Sequence, residues 1–221
     1  MSDLKIAAFF DFDKTLLVKD SPEIGFKYLW EHKLVSPLFL LKVILAGQLY
    51  KRNRLSITTM TEICLDYYRG RKLQEFIEGA PDFYEHWLKP ALSPAMLARV
   101  EEHRRLGHTL VLLSASVDYY LRLVAADLKF PHLICSKLEV DEQGRCTGRT
   151  EGPLLIGHYK KAAAENFARR ENIDLAASYA YADQHTDIPL LESVGHPVAV
   201  RPTKPLRHAA LARNWLIIDQ Q

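Results

Sequence analysis

Short apolar runs and longer amphipathic stretches alternate along the chain and predict its strands and helices. The first run, residues 6–10, reads Ile-Ala-Ala-Phe-Phe and ends directly at a pair of aspartates. It is too short for an independent helix and is uninterrupted by polar residues, as is typical of a central strand buried on both faces. Similar runs predict further strands at residues 109–113, 133–135, 178–182 and 197–200. The alternation with helical segments predicts an α/β fold with a central, mainly parallel sheet.

The strand pattern is missing between about residues 18 and 90, where helical periodicity takes its place. A proline at position 22, with Asp20 or Ser21 available as N-cap, indicates where the first helix begins. The periodicity predicts helices from about residue 22, at 37–47, at 58–68 and at 72–79. We therefore predict a helical cap inserted after the first strand. The predicted domains are a discontinuous core, residues 1–17 and 91–221, and the cap, residues 18–90.

The segment at residues 37–47 is the most apolar in the chain. Only Lys42 interrupts it, and a basic group follows it, namely Lys51, Arg52 and Arg54. The segment is too short to span a bilayer. We expect it to be a core helix of the cap bundle. The alternative is a helix that meets a lipid surface through its apolar face and basic flank.

After the cap, the α/β rhythm resumes. We predict a β-hairpin from residues 138–140 and 145–149, because a turn-forming segment with a glycine separates them. The remaining periodic segments predict helices at residues 94–105, 160–171, 188–193 and 206–214.

Composition narrows the function classes only slightly. The chain has 221 residues, 48% of them hydrophobic, and a formal net charge of +2, so we expect a globular protein without a nucleic-acid partner. Cys64, Cys135 and Cys146 are widely spaced and predict neither a disulfide framework nor a zinc site. With no secretory signal pattern at the N-terminus, we expect a cytoplasmic protein without stable membrane insertion, although surface association stays open. The oligomeric state stays open as well.

Acidic residues follow two of the predicted strands. Asp11 and Asp13 come directly after the first strand, and Asp183 follows the strand at 178–182. Taken alone, an Asp-x-Asp sequence is a simple acidic turn about as often as it is part of a functional site. However, the carboxyl ends of parallel strands meet at one edge of the sheet, where ligands bind. Each like-charge pair at about 4 Å costs on the order of 4 kcal/mol at an effective dielectric constant of about 20. Such a cluster calls for a cation, and its oxygen ligands suit Mg²⁺ better than Zn²⁺.

Four motifs in order resemble the haloacid dehalogenase (HAD) superfamily of phosphohydrolases. They are Asp-x-Asp-x-Thr at 11–15, Ser114 after an apolar run, Lys160, and Asp-x-x-x-Asp at 183–187. Gly107-His108 and the hairpin before Lys160 are most similar to the phosphoserine-phosphatase-like branch. The resemblance implies a three-layer Rossmann-like core with a helical cap and Mg²⁺-dependent hydrolysis of a phosphomonoester through an aspartyl-phosphate.

The resemblance also implies roles for the acidic residues. Asp11 is expected to be the nucleophile, and Asp13 the general acid and later the base. Mg²⁺ is expected to bind the side chains of Asp11 and Asp183 and the backbone carbonyl of Asp13, while Asp187 orients a metal-bound water. Lys14-Thr15 also resembles the Asp-Lys-Thr sequence of ion-pumping ATPases, in which the aspartate before the lysine is attacked. The absence of membrane spans in the sequence speaks against that alternative.

The remaining site residues are expected to contact the phosphoryl group or the substrate. Ser114 would donate a hydrogen bond to a phosphate oxygen, close to the N-terminus of the following helix, and Lys160 would stabilise the phosphoryl group. The other predicted substrate-binding residues are Asp20, Ala115, Arg71 and His158, of which Asp20 matches a position near the substrate amine in phosphoserine phosphatases. Ala182 and Gln184 depart from the Gly-Asp-Ser-x-x-Asp pattern of the family.

We expect a small phosphorylated substrate, such as a phosphorylated amino acid or alcohol. The alternatives are a lipid phosphate or phospholipid head group at a membrane surface, or a phosphotransferase reaction. A non-catalytic phosphate-binding module is disfavoured because all four acidic positions and Lys160 are present.

Overall fold

The computed structural model describes residues 4–52 and 54–219. Six parallel strands form the central sheet, and two antiparallel strands form a separate hairpin. The strands are β1 Ala7–Phe10, β2 Thr109–Val117, β3 His132–Ser136, β4 Leu138–Val140, β5 Cys146–Thr150, β6 Tyr179–Ala182, β7 His196–Val200 and β8 Leu216–Ile218. The order in the sheet is β3-β2-β1-β6-β7-β8, with β4 and β5 forming the hairpin.

Nine α-helices are found among the described residues. They are α1 Ser21–Glu31, α2 Pro37–Lys51, α3 Ile57–Leu65, α4 Leu73–Phe83, α5 Pro94–Arg105, α6 Asp118–Asp127, α7 His158–Glu171, α8 Ile188–Leu191 and α9 Lys204–Ala212. A π-helical turn at Tyr84–Leu88 and a short 3₁₀ turn at Lys89–Ala91 lead from α4 to α5. None of the helices in the described part of the chain is long and apolar enough to cross a membrane.

Helices cover both faces of the sheet, because successive residues of each strand point to opposite sides. In β1, Phe10 joins the hydrophobic cluster that α5 and α6 cover, and Phe9 joins the one that α7, α8 and α9 cover. Both phenylalanines are fully buried. The predicted three-layer α/β core is therefore confirmed.

The chain leaves the core and returns to it at neighbouring positions. Leu17 and Leu92 form an isolated antiparallel bridge, and Val18 donates a backbone hydrogen bond to the Ala91 carbonyl at 2.9 Å. Between these positions lie α1 to α4, and the division into a core and a cap of residues 18–90 stays a prediction. Among the described residues, α1, α3 and α4 share a hydrophobic cluster with the sheet. Ile24 and Phe83 belong to the same cluster as core residues of the sheet.

Most predicted elements are present, with shifts at their ends. β2 continues to Val117, so α6 begins only at Asp118. The helix that the sequence predicts close after Ser114 is α6, which begins four residues later. A further strand, β8, pairs with β7 at the edge of the sheet. Helix α7 begins at His158, which places Lys160 in its first turn.

The apolar segment at 37–47 does form a helix, but its expected role as a core helix is wrong. Only Val43 and Ala46 of α2 are buried. Five large apolar side chains of the helix are exposed: Leu38, Leu41, Ile44, Leu45 and Leu49. The sequence predicts burial from hydropathy alone, whereas the cap provides neighbours for only one face of this helix.

Candidate active site

The candidate active site lies at the carboxyl ends of β1 and β6, which are neighbours in the sheet. Here the order of the strands reverses, because the chain continues from β1 to one side through β2 and to the other side through β6. Such a switch point leaves a crevice between the flanking connections. Asp11 follows β1 and is held by a backbone hydrogen bond from its N–H to the Tyr181 carbonyl at 3.0 Å.

Three carboxylates meet in this crevice. One oxygen from each of Asp11, Asp183 and Asp187 lies within 4.8 Å of the others, and all three residues are buried. Burial and the charges of Asp11 and Asp187 raise the pKa of Asp183 well above its usual value. Burial likewise raises the pKa of Asp187 to about 6, with Asp11 adding to the rise and Lys160 opposing it. The structure thus brings Asp11, Asp183 and Asp187 together, and their predicted roles at a metal stay predictions.

The chemistry of this cluster fits a bound Mg²⁺. Its donors are carboxylate oxygens without histidine or cysteine, which is the set that a hard divalent cation prefers. Burial is the main cause of the raised pKa values of Asp183 and Asp187, and a bound cation would favour the charged form of both groups. The Asp13 side chain is not part of the cluster, so its predicted contribution is limited to the backbone carbonyl.

Lys160 places a positive charge beside the carboxylates of Asp11 and Asp187. Its ammonium group is buried and lies 2.9 Å from Asp11 Oδ1 and 3.0 Å from Asp187 Oδ2. Burial alone would lower the pKa of Lys160, but the two carboxylates raise it above its usual value, so the side chain is charged. Gly157 is the N-cap of α7 and has a φ of 61°, a conformation that favours glycine, and Lys160 lies buried in the first turn of the helix.

Asp13 lies in the irregular turn that follows Asp11. Lys14 adopts a left-handed φ of 51°, so the two aspartates do not continue as an extended strand. The Asp13 carboxylate accepts hydrogen bonds from the Ser21 N–H and from Ser116 Oγ, the latter at 2.5 Å. Burial and the nearby Asp20 raise the pKa of Asp13 to about 6. Asp13 therefore faces the cap side of the site, whereas Asp11 faces Lys160.

Arg201 holds the same turn and was not predicted as a site residue. It follows β7 directly, and its Nη2 donates to the carbonyl oxygens of Lys14 and Thr15 at 2.8 Å and of Leu17 at 2.9 Å. These contacts fix the backbone on which Asp13 lies. The one sequence feature that pointed to this residue is its position at the end of a predicted strand.

Ser114 is buried next to the turn, and its hydroxyl accepts a hydrogen bond from the Ser116 N–H at 3.2 Å. Ala115 lies between the two serines in the last part of β2. The contacts of Ser114 and Ala115 with a phosphoryl group stay predictions. Ser116 was missed, although the Ser-Ala-Ser sequence places it two residues after Ser114, on the same side of an extended strand.

The other predicted substrate-binding residues lie in different surroundings. Asp20 forms an ion pair with Lys14 at the site, and both side chains are more than a third exposed. His158 is exposed at the start of α7 and packs against the Tyr159 ring. Arg71 lies within the cap, where its guanidinium covers the Tyr67 ring at 4.2 Å and donates to the Tyr67 hydroxyl. These contacts give Arg71 a structural role, and its contact with substrate stays a prediction.

Helix α2 reaches the site through Tyr50. Gln184 Nε2 donates to the Tyr50 hydroxyl at 3.1 Å, and Gln184 is adjacent to Asp183. Burial raises the pKa of Tyr50, and Asp20 and Asp183 are close enough to contribute. This contact explains one departure from the family pattern, because glutamine at position 184 is long enough to bridge to the cap. Tyr50 belongs to none of the sequence motifs and was not predicted as a site residue.

Known proteins resemble this chain over nearly its whole length. The family model described as haloacid dehalogenase-like hydrolase matches residues 8–192. The "Inhibition of morphological differentiation protein" of Streptomyces azureus is 31% identical over 97% of this chain and 78% of its own length. "Phosphoserine phosphatase SerB1" of Mycobacterium tuberculosis is 28% identical over 98% of this chain and 71% of its own. The crystal structure of a protein of unknown function from Bordetella pertussis Tohama I superposes with a TM-score of 0.86 at 27% identity, covering 98% of this chain and 99% of the other.

Proposed function

This chain belongs to the haloacid dehalogenase-like hydrolases, in their phosphoserine-phosphatase-like branch, and is a phosphoric monoester hydrolase; from that premise we propose an Mg²⁺-dependent reaction through an aspartyl-phosphate on Asp11. One observation carries the proposal. The two aspartates of the first motif have different environments, since Asp11 is paired with Lys160 whereas burial raises the pKa of Asp13 to about 6. Two nearby carboxyl groups with such different surroundings suit a nucleophile and a proton donor.

In the first step, a carboxylate oxygen of Asp11 attacks phosphorus, and the bond from phosphorus to the alcohol oxygen breaks. Asp13 in its protonated form gives its proton to the departing oxygen. Its raised pKa keeps part of the population protonated near neutral pH, and the hydrogen bonds from Ser116 and the Ser21 N–H fix its orientation. Lys160 stabilises the negative charge of the transferring group.

In the second step, Asp13 acts as base. Its carboxylate takes a proton from a water molecule, which attacks phosphorus and releases inorganic phosphate while Asp11 returns to a free carboxylate. Arg201 keeps the turn in place through its three carbonyl contacts. Mg²⁺ bound by Asp11, Asp183 and the Asp13 backbone carbonyl, with Asp187 beside it, would screen the charges of nucleophile and phosphoryl group.

We propose a small organic phosphate, such as a phosphorylated amino acid or alcohol, as substrate. The support comes from the residues at the entrance: Tyr50 from the cap and the Asp20–Lys14 pair lie beside the catalytic turn. The Asp20 carboxylate would attract a substrate ammonium group in exchange for Lys14. A panel of phosphorylated amino acids, amino alcohols and sugars tests the proposed class, and equal kcat/KM for esters with and without an amine would contradict the proposed role of Asp20.

The experiment for the reaction itself uses p-nitrophenyl phosphate, whose good leaving group needs little recognition. We expect hydrolysis with Mg²⁺, none in excess chelator, and recovery when Mg²⁺ is restored. Asp11→Asn should abolish turnover, and Asp82→Asn serves as the matched control because Asp82 is half-exposed on α4. Full activity in excess chelator, or in the Asp11→Asn protein, would overturn the proposal.

A further inference from the structure

Helix α2 exposes an apolar face to the surface. Its exposed large side chains follow helical spacing and lie on roughly 140° of the helix surface, at about 100° per residue. They are Leu38, Leu41, Ile44, Leu45 and Leu49, and the exposed fraction of Leu38 reaches 78%. The opposite face packs into the cap through Val43 and Ala46. A helix that is apolar all round is normally enclosed, so its outer face lacks a partner within the chain.

The apolar surface continues beyond α2. Trp30 and Leu34 are 50% and 47% exposed, and both line a groove together with Glu31 and with Pro37, the first residue of α2. Among the described residues, seven of fourteen exposed large apolar side chains thus fall between positions 30 and 49. Single exposed leucines are ordinary, but a contiguous group of this size marks an interaction site.

The same region is strongly basic. Residues 30–61 contain five lysines and arginines and one acidic residue, Glu31, a formal charge of +4 compared with +2 for the whole chain. Glu31 pairs with Lys27, which lies outside this range. Lys42 pairs with Asp66 at 3.0 Å. The other four are exposed and form no ion pair with any described residue: Lys33, Lys51, Arg52 and Arg54. The apolar face is therefore flanked by unneutralised positive charge.

We propose that this surface docks on an anionic lipid bilayer. It is defined as the α2 docking surface, formed by Trp30, Leu34, Leu38, Leu41, Ile44, Leu45 and Leu49 with Lys33, Lys51, Arg52 and Arg54. Leucines and a tryptophan enter the boundary between headgroups and acyl chains, and basic side chains contact lipid phosphates. No helix in residues 4–52 or 54–219 can cross a membrane, so the association is one of a helix lying in the plane of the surface.

The charge pattern favours a lipid surface over a second copy of the chain. A two-fold contact through α2 would place a region of charge +4 against an identical region, with Glu31 as the one acidic residue of 30–61. An anionic bilayer instead offers both an apolar phase and negative charge. Docking through α2 also leaves the candidate active site close to the bilayer, because Tyr50 of α2 contacts Gln184 next to Asp183. The proposal does not depend on the catalytic assignment.

The test is co-sedimentation of the full chain with vesicles of phosphatidylcholine, alone or mixed with phosphatidylglycerol. We expect binding to the mixed vesicles at low salt, weaker binding at high salt, and little binding to neutral vesicles. The triple variant K51Q/R52Q/R54Q should bind about 100-fold more weakly, since basic residues near an anionic surface contribute in a roughly additive way. The double variant L41S/L45S should bind at least about tenfold more weakly.

Matched variants elsewhere on the surface serve as controls. Leu106 and Leu211 are 61% and 65% exposed outside the docking surface, so L106S/L211S should bind like the wild type. The basic control is R105Q/R169Q/K204Q, which removes three exposed charges. Unchanged circular dichroism and unchanged hydrolysis of p-nitrophenyl phosphate show that each variant is folded.

Three results would overturn the proposal. The first is no binding of the folded wild type to anionic vesicles at low salt. The second is binding that the control variants reduce as much as the α2 variants do. The third is a dimer in sedimentation velocity that L41S/L45S dissociates, without vesicle binding, which would assign the surface to a second copy of the chain.

Discussion

Arg201 connects two strand ends and fixes the backbone around the nucleophile. One of its nitrogen atoms binds three carbonyl oxygens of the turn after Asp11, and the contact with Lys14 joins residues 187 positions apart. Hydrogen bonds from a charged donor are worth about 1.5–3 kcal/mol, more than those between neutral groups. We expect Arg201→Met to lower the free energy of unfolding by about 3 kcal/mol and to reduce kcat, as measured by urea denaturation and p-nitrophenyl phosphate turnover.

The matched control for this prediction is Arg213→Met. Arg213 forms an ion pair with Glu192 in which both side chains are 44% exposed, and such surface pairs contribute at most about 1 kcal/mol. Equal loss of unfolding free energy in the two variants would show that the carbonyl contacts of Arg201 contribute no more to stability than a surface ion pair does.

At the scale of single residues, the sequence predicts the reactive carboxylates better than the residues that hold them in place. Asp11, Asp183 and Asp187 are found by their spacing from strand ends, since a carboxylate pattern is local. Arg201 and Ser116 act on the turn through contacts with residues far away in the chain, and local patterns carry no information about such pairs.

At the scale of elements, the contact between α2 and the loop after β6 couples cap and core. Tyr50→Phe and Gln184→Leu each remove the same hydrogen bond, so their effects on KM should overlap. We expect the double variant to be no worse than the poorer single variant, with a coupling of about 1 kcal/mol in kcat/KM. If the two substitutions instead lower kcat/KM by factors that multiply, the hydrogen bond between Gln184 and Tyr50 does not form in the working enzyme.

Local sequence patterns predict the strands of the sheet but not the burial of every helix. The strands β1 and β6 and the 110–113 part of β2 are uninterrupted apolar runs, and the parallel order of these strands follows from the α/β alternation. The burial of α2 was predicted from its hydropathy, but hydropathy does not reveal whether a neighbour exists. Likewise, Ser-Ala-Ser after Leu113 is compatible with a strand or a cap, and pairing with β3 through Ser114 and Val117 selects the strand.

At the scale of the whole molecule, a histidine pair between α5 and the face of the central strands limits stability in acid. His103 is buried, its Nε2 lies 2.7 Å from the Tyr181 hydroxyl and its Nδ1 lies 2.7 Å from His108 Nδ1. Burial and the neighbouring His108 lower the pKa of His103 to about 4. The unfolded chain, with a histidine pKa of about 6.5, then binds more protons between pH 6.5 and 4, so stability falls as the pH falls through this range.

The corresponding variant is His103→Gln, which keeps a polar side chain but removes the titration. Between pH 7 and pH 5, we expect the wild type to lose about 2 kcal/mol more of its unfolding free energy than the variant does. Urea denaturation at both pH values measures this difference. The comparison cancels the contribution of the acidic cluster, which both proteins share, and parallel pH profiles would refute the assignment.

The central claim is that Asp11, and not Asp13, receives the phosphoryl group. The most direct measurement uses the Asp13→Asn protein with p-nitrophenyl phosphate, followed by acid quenching and mass spectrometry of the peptide that contains residues 11–13. Because the good leaving group needs little protonation and the base for the second step is missing, phosphate should accumulate on Asp11. Asp11→Asn should show no phosphorylated peptide. Phosphate on Asp13 in the Asp11→Asn protein would contradict the proposed mechanism.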